Sequence, residues 1–278
     1  MSHWNTVAIY GVGLIGGSIG LALRQGNLAD QVVGIGRNPQ RLQVAVECGA
    51  INEFCTDLPK CPAPDLVILC APVQRLVEHG RAIFERFPES LITDAGSTKR
   101  ALVETIEAEL PQARFIGSHP MAGSEKSGVE FARADLFSNK TVILTPTEKT
   151  DPLCISQVTH FWEALGARIC TMNPVEHDEA LAIASHVPHV IASALASETP
   201  ENVLHLIAGG WRDTTRIAAA DVDMWTQILL ENSSNIRTRL DGIQARLQAF
   251  QTALDDDDQE TISRLLTAGK QRRDALGS

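Results

Sequence analysis

The sequence predicts an α/β protein with a mostly parallel, doubly wound sheet over residues 1–172, followed by an all-helical domain over residues 173–278. Three observations carry this. Short apolar runs alternate with helical patterns through the first part. A glycine-rich turn joins the first strand to the first helix. No strand pattern recurs after Asn173-Pro174.

Strands are expected at Val7–Tyr10, Val32–Ile35, Leu66–Leu69, Leu91–Thr93, Phe115–Ile116, Val142–Leu144 and Arg168–Thr171. Helices are expected near 15–26, 40–48, 75–86, 98–109 and 152–165, then at 175–198, 200–210, 222–254 and 259–275. In such a sheet the ligand crevice lies at the carboxyl ends of the strands. From Ile236 the apolar residues fall at Ile236, Leu240, Ile243, Leu247, Phe250 and Leu254, a heptad seam about 27 Å long at ~1.5 Å per residue. A seam of that kind suits a homodimer interface, or packing within the helical domain. The Asp255–Asp258 run reads as a loop that caps the last helix.

Hydrophobic residues make up 44% and charged residues 21% of the 278, as in ordinary globular proteins. A net charge of −10 argues against a nucleic-acid partner. The six cysteines show neither a C-x-x-C pair nor metal-ligand spacing, and read as reduced, mostly buried thiols of a cytoplasmic protein. No signal-peptide pattern and no apolar stretch of about 18 residues is evident, so no membrane partner is expected.

The first strand runs into Gly11-Val-Gly13-Leu14-Ile15-Gly16, a G-x-G-x-x-G between strand and helix. Gly11 permits the tight turn, Gly13 lets backbone amides approach a pyrophosphate, and Gly16 lets the helix pack close to the strand. This is the mark of a Rossmann-type dinucleotide-binding domain. About 20 residues on, NAD-binding folds place an acid on the ribose 2′-hydroxyl. Here stands Gly36-Arg37-Asn38-Pro39, with Arg41 beyond. The missing carboxylate removes repulsion toward a 2′-phosphate, and Arg37 can pair with one. The pattern favours NADP over NAD. Asn38 and Pro39 suit the cap and first residue of a helix.

Two loops after strands point into the same crevice: Asp94-Ala-Gly-Ser97-Thr-Lys99, and Ser118-His119-Pro-Met-Ala-Gly-Ser-Glu125-Lys-Ser-Gly128. A histidine at a strand's carboxyl end suits proton transfer from a substrate hydroxyl. In the helical half, His186 and His189 share a helix face, with too few neighbouring ligands for a metal. Gly209-Gly-Trp-Arg212-Asp-Thr-Thr-Arg216, with Trp225 beyond, suggests an anion site.

Taken in order, these motifs resemble the prephenate/arogenate dehydrogenases of tyrosine biosynthesis across nearly the whole chain. The resemblance implies a Rossmann domain plus a helical dimerisation domain, and oxidative decarboxylation with hydride transfer to NADP or NAD. It implies His119 as the catalytic histidine and Ser97 as the serine that orients it. It implies Arg216 on a substrate carboxylate, and His189, Gly209 and Trp225 lining the substrate pocket. Glu125 and His186 match polar positions nearby. Prephenate is slightly favoured over arogenate, and no metal is needed. Two alternatives are a dehydrogenase of β-hydroxyacid or imine type and a non-catalytic nucleotide sensor. The first commonly uses a lysine from the helical half, and none occurs between Lys149 and Lys270. The second would not need His119, Ser97 and Arg216 together.

Overall fold

The apolar runs become strands because both faces of the sheet are covered. In the computed structural model, which describes residues 3–123 and 126–277, alternate residues of each strand enter two separate cores. Val7, Ile9, Val32, Leu66 and Ile68 join Trp162 and Phe137 in one. Ala8, Val67, Leu69 and Ile92 join Leu76, Ile83 and Ile106 in the other. Period-two side chains with apolar cover on both faces give near-continuous apolar strands.

The strands are β1 (Trp4–Tyr10), β2 (Ala29–Ile35), β3 (Glu53–Cys55), β4 (Leu66–Leu69), β5 (Leu91–Asp94), β6 (Phe115–Pro120), β7 (Thr141–Thr145) and β8 (Arg168–Thr171). They form one sheet in the order β3-β2-β1-β4-β5-β6-β7-β8. Every neighbouring pair is parallel except β6 with β7, where His119 lies opposite Ile143. The chain reverses its direction of winding between β1 and β4, which opens a crevice at their carboxyl ends. The helices between strands are α1 (Leu14–Gln25), α2 (Pro39–Glu47), α3 (Val73–Arg86), α4 (Arg100–Glu109) and α5 (Pro152–Ala164). After β8 come α6 (Pro174–Leu181), a π turn (Ala182–His186), α7 (Val187–Ser197), α8 (Gly209–Thr215) and α9 (Val222–Glu231).

Two compact units result, Met1–Asn232 and Ser233–Ser278. The first therefore runs past residue 172 and includes α6 to α9. The second holds α10 (Ser233–Asp255) and α11 (Gln259–Asp274), packed on one another. Along the seam of α10, Ile236 is buried while Leu247 and Leu254 are 60% and 62% exposed.

Several expectations are corrected. The strand β3 was not expected; its three residues pair only with β2 at the sheet edge, too short a run to show a pattern. The helix expected over 200–210 is a 3-10 turn at Glu201–Leu206, followed by α8. The helix expected over 222–254 breaks at Asn232, whose side chain turns into a buried hydrogen-bond network. Cys55 and Cys61 are not reduced thiols. They form a disulfide, because the 3-10 turn Leu58–Lys60 brings their Cα atoms to 5.7 Å. The segment Pro174–Ser197, with a mean hydropathy of 1.4 in its most apolar window, is long and apolar enough by composition to cross a membrane. It also carries His177, Asp178, His186 and His189, all buried.

Candidate active site

At the dinucleotide end, local sequence builds the geometry. Gly11 has φ +99°, and a Cβ there would sit 2.7 Å from the Cys70 carbonyl oxygen. A Cβ on Gly16 would meet the Gly11 carbonyl at 2.2 Å, so helix and strand approach as only glycine allows. Gly13 caps α1, and the space beside its Cα is open. A free helix N-terminus beside open backbone fits a pyrophosphate, with Gly11, Gly13, Leu14, Ile15 and Gly16 as the cradle. Beyond the end of β2, a Cβ on Gly36 would touch Leu42 only at ordinary contact distance, 3.5 Å, so nothing steric forbids an acid. Asn38 caps α2 by accepting from the Arg41 N–H at 3.0 Å, and Pro39 opens it. Arg37 and Arg41 are exposed. Tyr10 and His79 stack there with ring centroids 3.9 Å apart. Burial pushes the Tyr10 hydroxyl up and the His79 imidazole down, and the charges of Arg37 and Arg75 reach both rings. Arg75 and His79 belong to no sequence motif.

Toward the other end of the sheet, β5 and β6 deliver the polar centre. Asp94 closes β5 and is fully buried with Lys99, its ion-pair partner. Asp94 also accepts from the backbone N–H of Gly96 at 2.8 Å and of Ser118 at 3.0 Å. A buried ion pair survives only when its remaining lone pairs are satisfied in this way. It fixes the turn that carries Ser97, which is half-buried. Thr98 donates to the Glu231 carboxylate from α9, and burial raises that carboxyl above its usual range.

His119 was expected in a loop. It lies instead within β6, 8% exposed, with Trp162 donating to neighbouring Ser118 at 3.1 Å. His119 Nδ1 is 2.9 Å from His177 Nε2, and His177 Nδ1 is 2.7 Å from Asp178 Oδ1. Asp178 accepts as well from the backbone N–H of Lys99 at 2.9 Å and of Arg100 at 3.0 Å, so one carboxylate ties α6 to the N-terminus of α4. The start of α6 is itself locked by a capping box, in which Asn173 accepts from the Glu176 N–H at 2.9 Å. Burial, reinforced by the charges of His177, Lys99 and His186, holds His119 well below the usual histidine range.

The chain of contacts continues. Asn232 donates to the Asp178 carbonyl at 2.7 Å and lies 3.0 Å from His186 Nδ1. Burial drops His186 to about 4, so it is neutral. His189 stacks face to face on Trp225, with centroids 3.6 Å apart and planes 9° apart, while His186 meets the same indole edge-on at 6.1 Å. His189 Nδ1 is buried and finds no partner among the described residues. Arg216 sits on an exposed 3-10 turn that packs against α7, the helix of His189. Gly209 opens α8 and is exposed. The structure thus joins His119, His186, His189 and Trp225 through neighbours, and adds His177, Asp178 and Asn232. Among the described residues no hydrogen bond, ion pair or ring contact joins Ser97, Gly209 or Arg216 to His119. Glu125 lies outside the described residues. Among the described residues no cluster of metal-ligating side chains occurs.

Known proteins match along the whole chain. Residues 19–171 match the family model for the prephenate dehydrogenase nucleotide-binding domain, and residues 173–268 the one for its dimerization domain. The prephenate dehydrogenase of Bacillus subtilis is 36% identical over 287 residues, covering 98% of this chain and 76% of the relative. The cyclohexadienyl dehydrogenase of Zymomonas mobilis is 32% identical, covering 99% and 97%. A solved Aquifex aeolicus prephenate dehydrogenase, in complex with hydroxyphenyl propionate and NAD+, superposes with a TM-score of 0.91 at 35% identity, covering 98% of each chain. With a dinucleotide cradle at one end of the crevice, a buried histidine network at the other and both domain models matched, the chain belongs to the prephenate dehydrogenase family.

Proposed function

We propose that this chain oxidatively decarboxylates a cyclohexadienyl acid in tyrosine biosynthesis, prephenate in preference to arogenate, with NADP favoured over NAD. One observation carries the reading: His119 is buried, neutral and seated at the carboxyl end of β6, in a family of which one solved member is in complex with hydroxyphenyl propionate and NAD+. A bound dinucleotide would supply the hydride acceptor. The Gly11–Gly16 turn would hold its pyrophosphate, and Gly36, Arg37 and Arg41 its adenosine end.

His119 takes the proton of the ring hydroxyl as hydride departs from the same carbon. Loss of CO₂ makes the ring aromatic, so the protein's task is orientation and charge matching. Arg216 grips a carboxylate, which its planar fork suits. His189, its Nδ1 unpaired and its ring flat on Trp225, offers a hydrogen bond to the substrate's side chain. Ser97 orients His119, Gly209 lines the pocket, and Glu125 and His186 shape its polarity. The chain works as a nucleotide-binding domain, 1–172, and a substrate and dimerisation domain, 173–278. The exposed Leu247 and Leu254 of α10 meet a second copy in a cytoplasmic homodimer.

The test is reduction of NADP and of NAD with prephenate and with arogenate, side by side. Turnover with neither acid overturns the reading. Better use of NAD than of NADP overturns the cofactor assignment alone.

A further inference from the structure

Two protons and three acceptors in the buried His119–His177–Asp178 chain leave one consistent arrangement. Asp178 lies below its usual range. Its burial opposes this, but the bonds from His177 and from the N–H groups of Lys99 and Arg100 outweigh it. It is therefore a carboxylate, and a carboxylate only accepts. At 2.7 Å from Asp178 Oδ1, His177 Nδ1 must carry a proton. His177 is itself held neutral by burial, against the pull of Asp178. A neutral imidazole with its proton on Nδ1 presents a lone pair at Nε2. That lone pair faces His119 Nδ1 at 2.9 Å, so His119 Nδ1 must be the donor. Of the two unprotonated nitrogens, His177 Nε2 accepts from His119, so the one lone pair left unengaged within the chain is that of His119 Nε2.

We propose that His177, oriented by Asp178, is a positioning residue that fixes His119 in its Nδ1–H tautomer, so that Nε2 always offers a lone pair to the substrate hydroxyl. The inference rests on the reading of His119 given above and extends it to two residues that carried no motif. In water the Nε2–H form of a free imidazole would be blocked for proton acceptance, so selecting the tautomer raises the fraction of productive enzyme. Once His119 has taken the proton it becomes imidazolium, with the His177 lone pair against its Nδ1–H and the Asp178 charge behind. The other ionisable groups facing this chain include Lys99 at the start of α4, Asp94 at the end of β5, His186 on the π turn and Glu231 on α9, whose charge reaches Asp178. Lys99 is neutralised by its ion pair with Asp94. Asp178 has a second task. It anchors the turn bearing Ser97 through the Lys99 and Arg100 N–H groups, so its loss disturbs both histidine and serine.

The direct test is the tautomer itself. Full-length enzyme with ¹⁵N-labelled histidine is recorded in long-range ¹H–¹⁵N spectra, with His119 assigned by its loss in His119→Asn. The expected result is a neutral His119 protonated at Nδ1 in the wild type and at Nε2 in His177→Leu. Kinetics follow on the same proteins. His177→Leu should lower kcat about 10- to 100-fold, as loss of an orienting partner does, with KM changed less than about threefold. His177→Gln, whose side-chain oxygen can still accept from His119 Nδ1–H, should restore most of that loss. A wild-type His119 protonated at Nε2 overturns the proposal whether or not the variants fold. So does a folded His177→Leu with wild-type kcat and pH profile. Retention of kcat in His119→Asn would instead overturn the underlying role of His119, and leaves the tautomer readable.

Discussion

The two ends of the crevice are built in opposite ways. The dinucleotide end is local: one strand, the turn Gly11–Gly13 and one helix within Trp4–Gln25, with the exposed Arg37 and Arg41 following β2. The histidine end draws on β5, β6, α4, α6, the π turn, α7 and α9, and its Asp94, Lys99, His119, His177, Asp178, His186 and His189 are all buried. On the proposed reading the first end would bind by backbone shape and screened charge, which tolerates change. The second depends on a closed hydrogen-bond network in low dielectric, where one lost partner strands the others. Substitutions at the two ends should therefore differ in kind.

The largest effect is expected at the histidine end. His119→Asn should lower kcat by about 10²–10⁴, the usual contribution of a positioned general base, with KM little changed. Steady-state rates with prephenate check this, and near wild-type kcat would break the contrast at its centre. Lys99→Met strands the buried Asp94 charge and should cost about 3–5 kcal/mol of stability, read by urea unfolding. A loss below about 1 kcal/mol would mean that the centre tolerates change as the surface does.

Intermediate effects belong to exposed groups. Arg216→Ala should raise KM about ten- to hundredfold with a smaller change in kcat, since a carboxylate grip persists into the transition state. Gly36→Asp should turn the preference from NADP toward NAD by about ten- to hundredfold, roughly 1.5–3 kcal/mol. A Cβ there meets Leu42 only at ordinary contact distance, so folding should be little affected. An unchanged NADP/NAD ratio would remove Gly36 from the cofactor site.

The smallest effect per group comes from pH. His119, His177 and His186 are all pushed below the ordinary histidine value, chiefly by burial. The unfolded chain then binds protons that the folded one refuses, so stability falls as pH drops below about 6.5. From pH 7 to pH 6 His186, dropped to about 4, should cost about 0.7 kcal/mol, and His119 and His177 add in the same direction, measurable as a falling melting temperature. The acid limb of kcat should likewise lie below about pH 6.5, and should vanish in His119→Asn.

Much of this protein follows from periodicity and turn chemistry. The alternation of strands and helices, the glycines at 11, 13 and 16, the Asn38–Pro39 start of α2 and the Asp258 cap of α11 are all local. Each is set by residues within a few positions of one another, where backbone sterics and single hydrogen bonds decide. What only the tertiary structure decided is who meets whom. His177 and Asp178 look like any polar pair opening an apolar helix, yet packing on α4 and β6 makes them the partners of His119. The DAGSTK segment could be seen as a loop near the site, but not that its Asp94 and Lys99 are a buried pair holding Ser97 in place. Asn232 ends α9 because its amide is drawn to Asp178 and His186, a pull from residues far away in sequence that no helical pattern encodes. The disulfide between Cys55 and Cys61 depends in the same way on a turn geometry that cysteine spacing leaves open. Local terms fix the elements. The buried network is fixed only when desolvation forces each polar group to find a partner across the fold.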